Sequence, residues 1–122
     1  MSISEAESLV MEVLWNEHPL SSEDVVAALA KSTDWAEPTV KTLLNRLLTK
    51  RAIAAERAGR RYLYRPLLKR ADYVHAQSKG LLDRLFGGRV APLVAHFSEH
   101  HKLGKKDLAE LKRLIEELDD EH

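Results

Sequence analysis

The sequence predicts a mainly α fold with one small β-hairpin. Three observations predict it. Apolar residues recur at helical spacing over most of the chain, the period drops to two in one short stretch, and Gly or Pro punctuates the segments. The first helix starts at "SEAE" (Ser4 to Glu7), a capping box in which the Ser4 hydroxyl accepts from the Glu7 amide and Glu7 reaches back. Leu9, Val10, Val13 and Leu14 follow as its apolar set, and "NEHP" stops it at Pro19. A serine at 21 or 22 caps the second helix, which buries Val25, Val26 and Leu29. Pro38 suits the first turn of a third helix, whose Val40, Leu43, Leu44, Leu47 and Leu48 form a stripe facing a core.

The period-two stretch is "IAAERAGRRYLYRP". It reads as strands Ile53–Glu56 and Tyr62–Arg65 around a turn at Ala58–Arg61, where Gly59 supplies a positive φ. Tyr62 and Tyr64 share a strand face, and both read as packing residues. Beyond Pro66 three helical segments return. Lys69 to Phe86 holds Tyr73, Leu81, Leu82, Leu85 and Phe86; Arg89 to His101 holds Val90, Leu93, Val94 and Phe97; Lys105 to Leu118 holds Leu108, Leu111, Leu114, Ile115 and Leu118. Gly87–Gly88 and Leu103–Gly104 break them. Three helices followed by a hairpin is the order of a winged helix-turn-helix, so two domains are expected, 1–68 and 69–122. The second is short for an independent core. Its apolar residues Leu82, Leu85, Phe86, Leu93, Val94, Phe97, Leu108, Leu111, Leu114 and Ile115 are expected to meet a second copy of the chain, making it a three-helix dimerisation region.

Composition narrows the chemistry. The chain has 122 residues, is 44% hydrophobic and contains no cysteine, which excludes disulfides, thiolate metal sites and a cysteine nucleophile. No apolar run approaches the roughly 20 residues of a membrane span, and "MSISEAESLV" lacks the pattern of an export signal, so a cytoplasmic protein without membrane insertion is expected. The zero net charge hides a segregation. Residues 1–36 carry seven acids and one lysine, residues 37–70 carry ten Lys/Arg and two acids, and residues 71–122 carry eight Lys/Arg and ten acids. A basic middle third suggests a surface for a polyanion.

The third helix and the hairpin carry that charge. With the leucine stripe inward, Thr39, Lys41, Thr42, Asn45, Arg46 and Thr49 point outward, and Lys50 follows. Lys donates to guanine, the Thr methyl touches thymine and Asn pairs with adenine, so these types suit the major groove, while Arg46 and Lys50 lie where phosphates run. Arg57, Arg60, Arg61 and Arg65 crowd one short hairpin, and a phosphate backbone would relieve their repulsion. Double-stranded DNA is favoured over RNA because no exposed aromatic platform is apparent.

At this level of detail the chain resembles the penicillinase and methicillin-resistance repressor family, which also contains copper-transport repressors. The blocks "ISEAESLVMEVLW", "TVKTLLNRLLTK", "GRRYLYRPL", "LLDRLFGG" and "LVAHF" occur in the family's order over essentially the whole chain. The resemblance implies a homodimeric repressor on inverted-repeat operators, with DNA contacts at Thr39, Lys41, Thr42 and Arg46 and wing contacts near Arg60. It implies control of antibiotic-resistance genes, and release by a protease under a membrane sensor that cuts between His96 and Phe97. The family pattern has Asn where this chain has His96. The cysteine-rich copper motif is missing.

One motif stands apart. His96, Glu99 and His100 spell H-x-x-E-H, the spacing of an inverted zinc-protease site, and His101 follows. A catalytic zinc needs a third protein ligand and a groove, so solvated or interface histidines are the expectation here, with no enzyme activity and no cofactor. Two alternatives stay open: a winged-helix protein-interaction module, and a regulator that senses metal or pH through His96, His100 and His101.

Overall fold

The computed structural model describes residues 2–100 and 102–121. Among them the elements run α1 (Glu5–Asn16), α2 (Ser22–Leu29), α3 (Glu37–Thr49), β1 (Ile53–Ala58), β2 (Arg61–Pro66), α4 (Arg70–Leu85), α5 (Val90–Glu99) and α6 (Lys105–Glu121). They divide into two compact units, Met1–Val74 and His75–His122. The division falls inside α4 because its first turn belongs to the N-terminal unit. There Arg70 pairs with Glu12 at 3.2 Å, and Tyr73 packs on Trp15 with ring centroids 5.5 Å apart. Trp15 Nε1 also donates to the Leu68 carbonyl at 2.8 Å, so the polar edge of the indole is satisfied.

Three helices and the hairpin of the first unit close over one core. Val10, Met11 and Leu14 of α1, Val25 and Leu29 of α2, and Val40, Leu43, Leu44 and Leu47 of α3 meet Ala52, Ile53 and Tyr64. Each large side chain taken out of water contributes about 1.5–3 kcal/mol. In α1, Val10 and Leu14 are buried as expected, but the rest of the stripe is turned. Leu9 is exposed and Val13 only half-buried, while Met11 and Glu7 are buried. Two capping boxes start the first two helices. Ser4 Oγ accepts from the Glu7 amide at 3.1 Å, and Ser21, rather than Ser22, does the same for Asp24 at 3.1 Å.

The end of α3 has no sequence signal. Arg51 adopts φ +61, a left-handed conformation that usually goes to glycine. Its amide donates to the Leu48 carbonyl and that of Ala52 to the Leu47 carbonyl, both at 3.0 Å, which satisfies the last carbonyls of the helix. The chain is thereby turned into β1.

In the hairpin Ala58 pairs with Arg61, leaving Gly59 and Arg60 as a two-residue loop, with Gly59 at φ +65 as so tight a turn requires. The strands are longer than expected by the residues that pair up to this loop. A bridge not foreseen from sequence joins Leu20 to Tyr64: Tyr64 N–H donates to Leu20 O at 2.7 Å and Leu20 N–H to Tyr64 O at 3.0 Å. It ties the α1–α2 connection to the hairpin. Tyr64 is buried, but Tyr62 is 52% exposed, which corrects its assignment as a packing residue. The two share a strand face, yet the hairpin has run past the edge of the core by Tyr62.

The C-terminal unit is built differently. Among its described residues no side chain is buried. Gly87, at φ +57, follows α4, and the Gly88 amide returns to the Leu82 carbonyl at 2.8 Å, closing that helix. Leu93, Val94 and Phe97 of α5 line a groove of about 260 Å³ with Leu103, Leu111 and Leu114. Leu85, Val90, Ile115 and Leu118 are each more than half exposed.

Candidate nucleic-acid interface

The interface is built on α3, because its leucine stripe fixes which residues turn outward. Thr39, Lys41, Thr42, Asn45, Arg46 and Thr49 are all exposed. Thr42 Oγ1 donates to the Pro38 carbonyl at 3.0 Å, and Thr49 Oγ1 to the Asn45 carbonyl at 3.0 Å. Each hydroxyl proton is thus spent on the helix itself, leaving an acceptor lone pair and a methyl group free. Among the described residues Arg46 has no ion-pair partner.

Lys50, expected beside them as a phosphate ligand, lines a groove with Thr42, Asn45, Arg46 and Thr49, but its ammonium is held by a carboxylate of α1. Lys50 Nζ lies 2.6 Å and 2.8 Å from the two carboxylate oxygens of Glu7 and 2.7 Å from the Ser2 carbonyl. Glu7 is buried. Burial pushes its carboxyl up, but the Lys50 ammonium and the hydrogen bonds at Ser4 outweigh this and hold it below its ordinary value of 4.5. The charge of Lys50 is therefore balanced within the fold. Its partner lies 43 residues away, so no local pattern could have announced it.

The hairpin brings Arg57, Arg60 and Arg61 to the surface, all exposed. Arg57 Nε donates to the Gly59 carbonyl at 3.1 Å, so its side chain folds back over the turn. Arg60 and Arg61 line a cavity of about 150 Å³ with Lys41 and Glu37 of α3, the α2 cap residues Ser21 and Ser22, and Tyr62. The wing and the N-terminal turn of α3 thus share one cationic recess. Asp24 stands near it. The Ser21 amide, then the Ser21 hydroxyl and the Arg61 charge hold its carboxyl below the usual range. Glu37 belongs to this recess and was not singled out in the sequence. Its Oε1 lies 3.3 Å from Lys41 Nζ and accepts from Ser22 Oγ at 3.3 Å.

The pattern of the penicillinase repressor family matches residues 3–117, nearly the full length of the chain. The chain belongs to that family. A penicillinase repressor of Bacillus licheniformis is 32% identical over 94% of this chain and 90% of its own, and one of Staphylococcus aureus is 28% identical over 97% and 94%. Among solved structures, the DNA-binding domain of the repressor BlaI is similar with a TM-score of 0.54 at 35% identity, over 59% of this chain and 88% of its own. The monomeric form of Bacillus licheniformis BlaI, solved in complex with the blaP half-operator, is similar with a TM-score of 0.52 at 34% identity, over 60% of this chain and 89% of its own. The winged helix-turn-helix expected from the element order is the fold of the N-terminal unit, and the family is one of repressors, not enzymes.

Among the described residues no group of three or more His, Cys, Asp or Glu converges to hold a metal ion. His96 and His100 lie ring to ring, with centroids 4.5 Å apart, and His96 also packs on Phe86 and Phe97. His100 Nδ1 is 2.9 Å from the His96 carbonyl, which closes the end of α5. His101 lies outside the described residues. The bond between His96 and Phe97 falls within α5, with Phe97 41% exposed. Among the described residues no helix is long and apolar enough to cross a membrane.

Proposed function

We propose that this chain is a cytoplasmic transcriptional repressor that binds an inverted-repeat operator in double-stranded DNA as a homodimer. In this proposal residues 1–68 read one half-site and residues 69–122 dimerise. One observation carries the proposal: Thr39, Lys41, Thr42, Asn45 and Arg46 stand outward on α3 while Arg60 and Arg61 of the wing share a recess with Lys41. A helix of this polarity fits the major groove, with its N-terminal side chains on base edges, and an arginine wing fits the adjacent backbone. Arg57 completes the wing contacts. The similarity to a repressor solved on a half-operator supports binding to DNA. Lys50 is left out of the contact set because Glu7 occupies its ammonium.

The exposed and half-buried apolar side chains of α4, α5 and α6 support the dimer. A unit with no buried side chain among its described residues gains its core only when Leu82, Leu85, Phe86, Leu93, Val94, Phe97, Leu108, Leu111, Leu114 and Ile115 are covered. Any event that separates two such units lowers operator affinity, because one half-site is then bound without the other. Cleavage between His96 and Phe97 by a protease under a membrane sensor is one such event; the α5 turn holding that bond must first unwind.

Titration of a labelled duplex at several salt concentrations tests the proposal. Log affinity should fall linearly with log salt, with a slope of roughly −0.9 for each phosphate neutralised. A protein-interaction module would bind the duplex weakly and tolerate Lys41→Ala and Arg46→Ala together.

A further inference from the structure

Glu37 is the one carboxylate on the outward N-terminal turn of α3, and a face made for a polyanion gives it no obvious reason to be there. It is held from two sides, by Lys41 Nζ at 3.3 Å and by Ser22 Oγ at 3.3 Å. Both members of the pair stay accessible, with the Glu37 side chain 42% and that of Lys41 58% exposed. Both line the recess that also holds Arg60 and Arg61, with Glu23 as its other carboxylate. A helix N-terminus favours an acid there by its dipole alone. That does not explain why the acid is fixed against a lysine whose free partner would be a base.

We infer that Glu37 and Lys41 read one G·C base pair together, Lys41 Nζ donating to guanine N7 and O6 and the Glu37 carboxylate accepting from the cytosine N4 amino group. The inference rests on the DNA-binding role proposed above. Across the major groove a G·C pair presents acceptor, acceptor, donor in that order. The O6 and N4 groups are neighbours, because they hydrogen-bond to each other across the pair. An ammonium and a carboxylate roughly 3 Å apart offer the complementary donor and acceptor at matching spacing. An A·T pair puts a donor between two acceptors and ends on a methyl group. The same two side chains would then leave one polar group unpaired, which is costly in a desolvated groove. Ser22 limits the swing of the carboxylate, so it is presented rather than free to turn away. Glu37 also repels phosphates, so it weakens binding to unrelated sequences and sharpens discrimination.

The test selects preferred duplexes from a randomised pool with the full chain, for the native protein and for Lys41→Ala, Glu37→Ala and Glu37→Gln, each checked for an unchanged thermal midpoint. Affinities are then measured on the preferred duplex and on copies with single base pairs replaced. Lys41→Ala and Glu37→Ala should flatten preference at the same G·C pair, each lowering its discrimination against A·T by about tenfold. Glu37→Gln, which keeps a carbonyl acceptor, should retain part of it. Glu37→Ala should also bind unrelated duplex more tightly than the native chain. If Glu37→Ala selects the same sequence with unchanged discrimination at every pair, the inference fails and the carboxylate serves only the helix terminus. If the native chain selects no sequence at all, the DNA-reading role itself fails.

Discussion

A lysine at the end of a helix proposed to face DNA is an obvious phosphate ligand, and Lys50 has instead been drawn to the buried carboxylate of Glu7. The reason is energetic. A buried carboxylate without a partner costs several kcal/mol, far more than one surface contact to phosphate returns. Lys50→Met should therefore destabilise the N-terminal unit by about 2–4 kcal/mol in urea unfolding, while its effect on the salt dependence of DNA binding stays small. A loss below about 0.5 kcal/mol would show the pair to be dispensable. The pair also sets a pH dependence. Glu7 is held below its ordinary value, so its contribution is present above about 4.5 and is lost as pH falls through the lower, folded value. Stability measured from pH 6 down to 3 should fall across that window, and Glu7→Gln should flatten that part of the profile. Arg51 is the opposite case, a residue whose conformation works against it. At φ +61 an arginine is strained by about 1–2 kcal/mol, and Arg51→Gly should raise stability by about 0.5–1 kcal/mol after the added freedom of the unfolded chain is counted.

At the scale of elements, the helices and the hairpin were legible because each rests on a local signal. The Ser4–Glu7 box, the leucine stripe of α3 and the Gly59 turn are all contained within a few residues. What sequence missed is what depends on distance or on a broken rule. The Leu20–Tyr64 bridge joins segments far apart in the chain, α3 ends on an arginine where a glycine would signal the stop, and Tyr62 is exposed because the core ends before it. The outward face of α3 could be read because the inward one was unambiguous, but the Glu37–Lys41–Ser22 contact needed α2 packed beside α3. The wing makes a prediction of its own. Arg60→Ala and Arg61→Ala should each weaken binding to all duplexes alike and reduce the magnitude of the salt slope by about one. A change in base preference from either would instead place that arginine on a base edge.

At the scale of the molecule, the two units differ in how they meet water. The first buries a core of its own, whereas the second leaves Leu85, Val90, Ile115 and Leu118 more than half exposed. That contrast is why the second unit is read as half of a shared structure. Leu114→Asp combined with Ile115→Asp should give a monomer by sedimentation equilibrium with the first unit still folded, and should cost about 10²–10⁴-fold in affinity for a two-half-site operator. An unchanged sedimentation profile would remove the dimer from the account. Backbone amide shifts of the chain titrated with a selected half-site duplex report directly which surface meets DNA. The largest shifts should fall on Thr39 to Arg46 and on Arg57 to Tyr62, with Lys50 and the α1 amides little changed. Shifts centred on α1, or on the C-terminal unit, with α3 and the wing unmoved, would place the DNA on another surface.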